Sequence, residues 1–139
     1  MQIHTDPDIA RVTQLLLEND LPAEDLQDNH ALQLFACGSG VDAVIGIEAY
    51  PSVGLLRSLA VRSTRRKRGI ARALIEHVEA YAATRRIGEL YLLTTTAEAF
   101  FLRLGYQPVA RTSAPPAIRD TREFSDLCPT DSAFMCKRL

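Results

Sequence analysis

Apolar residues along this chain recur at two different periods, and the places where the period changes predict its elements. Met1–His4 predicts a short strand. Ile9, Val12 and Leu16 then fall on one face of a helix running to about Asn19. Asp6 reads as its cap and Pro7 as its first helical residue. Pro22 and the acidic stretch 24–28 predict a second short helix or a loop. From there the pattern is that of strands: Leu32–Cys37, Val41–Tyr50 and Leu55–Val61, divided by Gly38-Ser39-Gly40 and by a turn at Pro51–Gly54. These three predict an antiparallel meander.

The helical period returns at 69–86, where Ile70, Leu74, Val78 and Tyr81 share a face and Gly88 reads as the stop. Glu89–Thr94 predicts a strand and Ala97–Leu104 a short helix, with Thr96 as a good cap and Gly105 as the end. Tyr106–Arg111 predicts another strand, Ile118–Leu127 a helical turn or two after Pro115-Pro116, and Ala133–Leu139 a closing strand. The pattern is α+β, a sheet with helices on its faces.

Composition narrows the function. A length of 139 residues suits one domain, and 47% hydrophobic residues supply a core. A formal net charge of −1 argues against a nucleic-acid partner. No apolar run approaches a membrane span and no signal-peptide pattern opens the chain, so a cytoplasmic location is expected. Cys37, Cys128 and Cys136 are an odd set without metal-ligand spacing, which predicts reduced thiols and no metal.

One segment carries chemistry. The strand ending Leu59-Ala60-Val61 runs into Arg65-Arg66-Lys67-Arg68-Gly69 and then a helix start, Ile70-Ala71-Arg72. Unpaired N–H groups of a first helical turn, the positive end of the helix dipole, and a glycine that lets backbone approach a ligand together make a phosphate site. Neither Gly-x-x-x-x-Gly-Lys-Ser/Thr nor Gly-x-Gly-x-x-Gly is present.

The spacing Arg66-x-x-Gly69-x-Ala71 resembles the pyrophosphate-binding motif of the GCN5-related N-acetyltransferase (GNAT) superfamily. The order of elements is similar to that superfamily over nearly the whole chain. Ala97-x-x-x-Phe101-x-x-x-Gly105-Tyr106 resembles a second family segment, in which Thr94 stands where the family has Asn and Phe101 where it has a tyrosine credited as general acid. The wording around 55–61, 90–97 and 114–129 is similar to a branch associated with arsenic resistance. The resemblance implies a single GNAT domain over 1–139, acetyl-CoA as co-substrate, and direct acetyl transfer to the primary amine of a small molecule. It also leaves open a non-catalytic acyl-CoA-binding module or a protein N-acetyltransferase.

By the same resemblance the backbone at Leu59, Ala60 and Val61 lines the pantetheine arm, where the neighbouring strand splays away. Residues Arg66, Lys67, Arg68, Gly69, Ile70, Ala71 and Arg72 hold the pyrophosphate, and Thr94 and Phe101 border the cofactor. For the acceptor, Glu48 is a carboxylate within an apolar strand. It reads either as a general base with a raised pKa or as the cross-strand ion-pair partner of Arg57, which pairing Tyr50 with Leu55 sets opposite it. Arg57 also reads as a clamp for a substrate oxyanion. Ser58 belongs to the other face unless a bulge re-aims it. The tail residues Arg111, Arg119, Arg122 and Glu123 frame the acceptor side, each taken alone being ordinary surface charge, and the cysteines read as inert packing. The edge strands are compatible with a homodimer.

Overall fold

Side chains alternate across a pleated strand, so the short apolar runs of the sequence assemble into a sheet covered on both faces. The computed structural model describes residues 2–139. Its strands are β1 (Ile3–Thr5), β2 (Leu32–Cys37), β3 (Ala43–Ala49), β4 (Val53–Val61), β5 (Glu89–Thr94), β6 (Gln107–Pro108) and β7 (Ala133–Arg138). They form one seven-stranded sheet in the order β1-β2-β3-β4-β5-β7-β6. All neighbours are antiparallel except β4 and β5, which are parallel and joined by the crossover helix α2 (Ile70–Thr84). The expected α+β architecture and its antiparallel meander are therefore present. The expected first strand lies partly outside the described residues, because Met1 is not among them.

On one face, α2 and α3 (Glu98–Arg103) bury Leu74, Ile75, Val78, Ala82 and Phe101 against Phe35, Ile45, Ile47, Leu56 and Leu90. On the other, α1 (Ile9–Glu18) packs Val12, Leu15 and Leu16 on Leu34, Ala36, Val44 and Ala60. Beside it α4 (Pro116–Arg119) sets Ile118 against Val53, Leu55, Tyr91 and Phe134.

Several element ends differ from the sequence reading, each for a local reason. Asp8, not Asp6, caps α1, its carboxylate accepting from Ala10 N at 3.0 Å; Asp6 sits at φ 50° in the preceding turn. The acidic stretch 24–28 is a loop. Gly88 does not end α2. Arg86 takes the left-handed position (φ 60°), with Arg86 N–H on Ala83 O and Ile87 N–H on Ala82 O, a Schellman pair. At α3 the expected Thr96 cap is absent: Ala97 is the N-cap residue, no side chain caps the helix, and Thr94 Oγ1 accepts from Ala97 N at 3.0 Å in the turn before it. The strand expected over 106–111 is only Gln107–Pro108, and the helical turns over 118–127 split into α4 and a π-helical turn, Glu123–Leu127.

The decisive difference is the β3–β4 register. Tyr50 N–H donates to Val53 O, so the turn is tight and β4 begins at Val53. Glu48 then pairs with Leu55, and Arg57 with Gly46, which corrects the expected Glu48–Arg57 pairing to a diagonal one on the same face. Further along, Val44 pairs with Ala60, so Ile45 faces both Ser58 and Leu59 across a β-bulge. Ser58 adopts φ 60°. The extra residue switches faces: Leu56 packs under α2, whereas Ala60 packs under α1.

Leu74 has 0% exposure and Leu102 on α3 has 41%. Leu74→Ala is expected to cost about 2–5 kcal/mol of unfolding free energy, and Leu102→Ala within about 0.5 kcal/mol of zero, both read by urea denaturation.

Candidate functional site

The parallel pairing of β4 with β5 is confined to Val53–Leu55 against Glu89–Tyr91. Beyond it β4 continues to Val61 and β5 to Thr94, so the two strands part. Arg62 N–H donates to Asp42 O at 2.7 Å. Counting back from that bond by the antiparallel alternation, the backbone groups of Ala60 face β3, and those of Leu59 and Val61 face the gap beside β5.

The gap leads into the basic loop. Lys67 (φ 64°) and Gly69 (φ 77°) are both left-handed, and a Cβ at Gly69 would meet nothing within 4 Å. Among the described residues, no backbone N–H from Arg66 through Arg72 has a protein acceptor; the first that does is Ala73, which donates to Gly69 O. Seven unpaired donors at the positive end of a 15-residue helix, with open space at the glycine, fit a phosphate group. A cavity of about 170 Å³ lies there, walled by Val61, Arg66, Gly69, Ala71 and Phe100.

The side chains of the loop divide their work. Arg66 is a structural pin: its Nε donates to Val61 O at 3.1 Å and its guanidinium reaches Asn19 Oδ1 at 2.6 Å. Arg72 pairs with Glu76 on the exposed face of α2. Arg68 lines an adjoining groove of about 780 Å³ with His4, Cys37 and Asp42, and Arg65 lines both that groove and the loop cavity. Phe101 lies in the core against Phe100 and Tyr106, so it is Phe100 that walls the cavity. Thr94 Oγ1 is already an acceptor for the start of α3.

On the opposite face, Arg57 gathers three carboxylates. Its two terminal nitrogens hold both oxygens of Asp25 at 2.6 and 2.7 Å; one of them also holds Glu48 Oε2 at 2.8 Å. Its Nε meets Ser58 Oγ at 3.0 Å and Glu123 Oε1 at 3.1 Å. The guanidinium is 1% exposed. Ser58 reaches it because the bulge re-aims it, as the sequence reading allowed. The second oxygen of Glu48 accepts from the Tyr50 hydroxyl, and Asp25 Oδ2 also accepts from Asn29. Glu48 is thus the ion-pair partner of Arg57 with both oxygens engaged, and Arg57 is committed within the protein.

Glu123, which the sequence sets among the tail charges framing the acceptor side and which alone reads as ordinary surface charge, is 5% exposed in the fold. It lies at the start of the π turn, which Cys128 N–H closes on Glu123 O; the Cys128 thiol donates to Glu123 Oε2. Only a polar residue in a Pro-rich tail marked it in the sequence; the wide turn that points it inward left no signal.

Burial and charge set the titrations. Burial pulls the Arg57 pKa down, but bonds and charge from Asp25, Glu123 and Glu48 outweigh it and push it up. Burial pushes Asp25 up, yet its bonds to Arg57 prevail and hold it below the ordinary range. Burial raises Glu123 against the pull of Arg57 and Cys128. Burial and the Glu123 carboxylate push the Cys128 thiol up, as burial and Glu48 do the Tyr50 phenol. A cavity of about 230 Å³ opens beside Asp25, Glu48 and Tyr50, also lined by Asp28, Asp120 and Arg122.

Removing the cation strands three carboxylates, so Arg57→Met is expected to cost about 3–5 kcal/mol. Asp25→Asn leaves Arg57 with two carboxylates and is expected to cost about 1–3 kcal/mol, both by chemical denaturation at pH 7. Because the folded pKa of Glu123 is raised, its contribution to stability is present at low pH and lost as pH rises through that value. Wild type is therefore expected to gain stability relative to Glu123→Gln as pH falls toward the ordinary glutamate value of 4.5, read by denaturation across acidic pH.

The acetyltransferase (GNAT) domain family matches residues 29–108, more than half of the chain. An uncharacterised N-acetyltransferase of Chlorobaculum tepidum is 34% identical over 85 residues, 60% of this chain and 54% of that protein. The chain thus spans about half the length of that curated relative. Rv2747 of Mycobacterium tuberculosis, solved in complex with CoA, superposes over 100% of this chain and 99% of its own with TM-score 0.82 at 17% identity. N-acetylglutamate synthase of Neisseria gonorrhoeae, complexed with coenzyme A and N-acetyl-glutamate, superposes over 100% of this chain and 35% of its own, with TM-score 0.79 at 18% identity. Tetrahymena GCN5 gives 0.78 at 14% identity, over 99% of this chain and 96% of its own. On the family match, borne by the sheet, the parted strands and the loop of free N–H groups, the chain belongs to the GNAT acetyltransferase family.

Proposed function

We propose that this protein moves the acetyl group of acetyl-CoA to the primary amine of a small molecule, with both substrates bound together. The observation that carries the reading is the continuous path from the β4–β5 gap to the loop of unpaired N–H groups. Leu59 and Val61 would bond the pantetheine arm as an added strand does, and one of these N–H groups would polarise the thioester oxygen. The loop from Arg66 to Arg72 would hold the pyrophosphate chiefly through its backbone, with Lys67 and Arg68 adding charge. The acceptor would come to the opposite face, where Arg57 and its carboxylates border the gap. CoA bound to the Mycobacterium and Neisseria proteins supports the co-substrate, and the acetylated amino acid bound to the latter supports a small amino-acid-like acceptor. A role in arsenic resistance rests on the sequence resemblance alone.

Phe101 favours a second reading, a non-catalytic acyl-CoA-binding module, because its buried ring supplies no phenol to protonate a thiolate. A thiolate is a modest base, so water suffices for that step. Steady-state turnover with a panel of amines separates the two readings.

Gly69→Glu brings bulk and negative charge to the phosphate position. It is expected to weaken acetyl-CoA binding by about 100-fold or more, roughly 2.7 kcal/mol, in isothermal calorimetry. Gly69→Ala has space for its methyl group and serves as the control for backbone strain. Equal affinity of Gly69→Glu and wild type would remove the loop from the cofactor site.

A further inference from the structure

An acyl transfer to an ammonium needs a group to take its proton, and three buried carboxylates stand around Arg57. Two are saturated. Glu48 accepts from Tyr50 on one oxygen and from Arg57 on the other, and Asp25 is held by both terminal nitrogens of Arg57 and by Asn29. Glu123 differs. Its Oε1 shares the Arg57 Nε with Ser58 Oγ, and its Oε2 meets only the Cys128 thiol, the weakest donor of the group. Its side chain is 6% exposed, against 1% for Glu48 and 2% for Asp25.

Position separates it too. Nε is the guanidinium nitrogen nearest the backbone of β4, so the carboxylate bonded to it sits beside the bulge at Ser58, one residue from Leu59. Glu48 and Asp25 hold the far end of the same guanidinium. Glu123, like Asp25 and unlike Glu48, lies outside the segment 29–108 that matches the family. It is supplied by this chain's own tail and its π turn, a geometry that recurs at functional sites.

We propose that Glu123, through Oε2, is the proton acceptor for the acceptor ammonium. This rests on the acetyltransferase reading above. The ammonium N–H bond breaks and its proton goes to Glu123. The freed nitrogen pair forms the new bond to the thioester carbonyl carbon, the carbon–sulfur bond breaks, and sulfur leaves with its pair. The sulfur takes the second nitrogen proton, and Glu123 releases the first to water. Arg57 on β4, Asp25 before β2, Glu48 on β3 and Cys128 after the π turn set the charge around Glu123, and Arg111, ahead of that turn, acts on Cys128. Burial raising Glu123 brings a carboxylate nearer the working range of a base.

Two readouts test the assignment, one of them independent of turnover. Glu123→Gln is expected to lower kcat about 10²–10⁴-fold and to remove the acid limb of the kcat/KM profile. It should leave acetyl-CoA affinity within about twofold by calorimetry, and Glu48→Gln should keep the limb. Independently, alkylation of Cys128, followed against pH by mass spectrometry, is expected to shift its midpoint to lower pH in Glu123→Gln, because the neighbouring carboxylate charge is gone. An acid limb that survives in Glu123→Gln and vanishes in Glu48→Gln would overturn the assignment. So would an unmoved Cys128 midpoint, since the contact that singles out Oε2 would then be absent. If Glu123→Gln fails to fold, shown by circular dichroism, Glu123→Asp takes its place: a reduced kcat with the acid limb kept but displaced supports the role, and wild-type kcat overturns it. Wild type that binds acetyl-CoA yet acetylates no amine would bring down the underlying reading, and the proposal with it.

Discussion

A guanidinium taken out of water has to be neutralised where it stands, and the face of the sheet that carries Arg57 is arranged around that necessity. Arg57 is 1% exposed and holds Asp25, Glu48, Ser58 and Glu123. These come from separate stretches of chain: the loop after α1, strand β3, the bulge of β4 and the π turn near the C-terminus. One cation thus ties four segments together. The bulge serves the same end, since it re-aims Ser58 to join Glu123 at Nε. Three carboxylates on one guanidinium leave an excess of negative charge, which would suit the cationic amine of the proposed reaction.

The cofactor side works differently. Its donors are backbone N–H groups, made available by where the loop stops pairing and where α2 begins. Such a site depends on backbone shape more than on the identity of the basic side chains, and Arg66 is accordingly spent on Val61 and Asn19. Gly69 is the exception, because a left-handed residue with nothing above it lets a ligand meet the backbone. The same bulge serves both sides: it turns Ser58 to Arg57 and, one residue on, leaves Leu59 facing the gap.

Most of the fold was legible because periodicity reports burial. Leu32–Cys37 and Glu89–Thr94 match residue for residue, and α2 falls within its predicted span. The meander and the loop of Arg66–Ala71 followed from turn residues and spacing. The register of β4 was not legible, because Ser52 at φ 65° makes a tighter turn than Pro51–Gly54 suggests, and the resulting slip of two residues changes every partner while leaving each side chain on its face. The Glu48–Arg57 pair survived that slip because a diagonal neighbour on one face is still within reach of a long side chain. Asp25 and Glu123 were invisible as partners of Arg57, since each lies in an irregular segment without periodicity and meets Arg57 only through long-range packing.

The central claim is that the β4 edge and the loop form one continuous acyl-CoA path. The most direct test is a titration of ¹⁵N-labelled protein with acetyl-CoA, followed by backbone amide shifts. The account predicts the largest changes at Leu59, Val61 and Gly69–Ala71, with smaller ones around Phe100. Shifts gathered instead around His4, Cys37 and Ser39, in the adjoining groove and away from Leu59 and Val61, would contradict it.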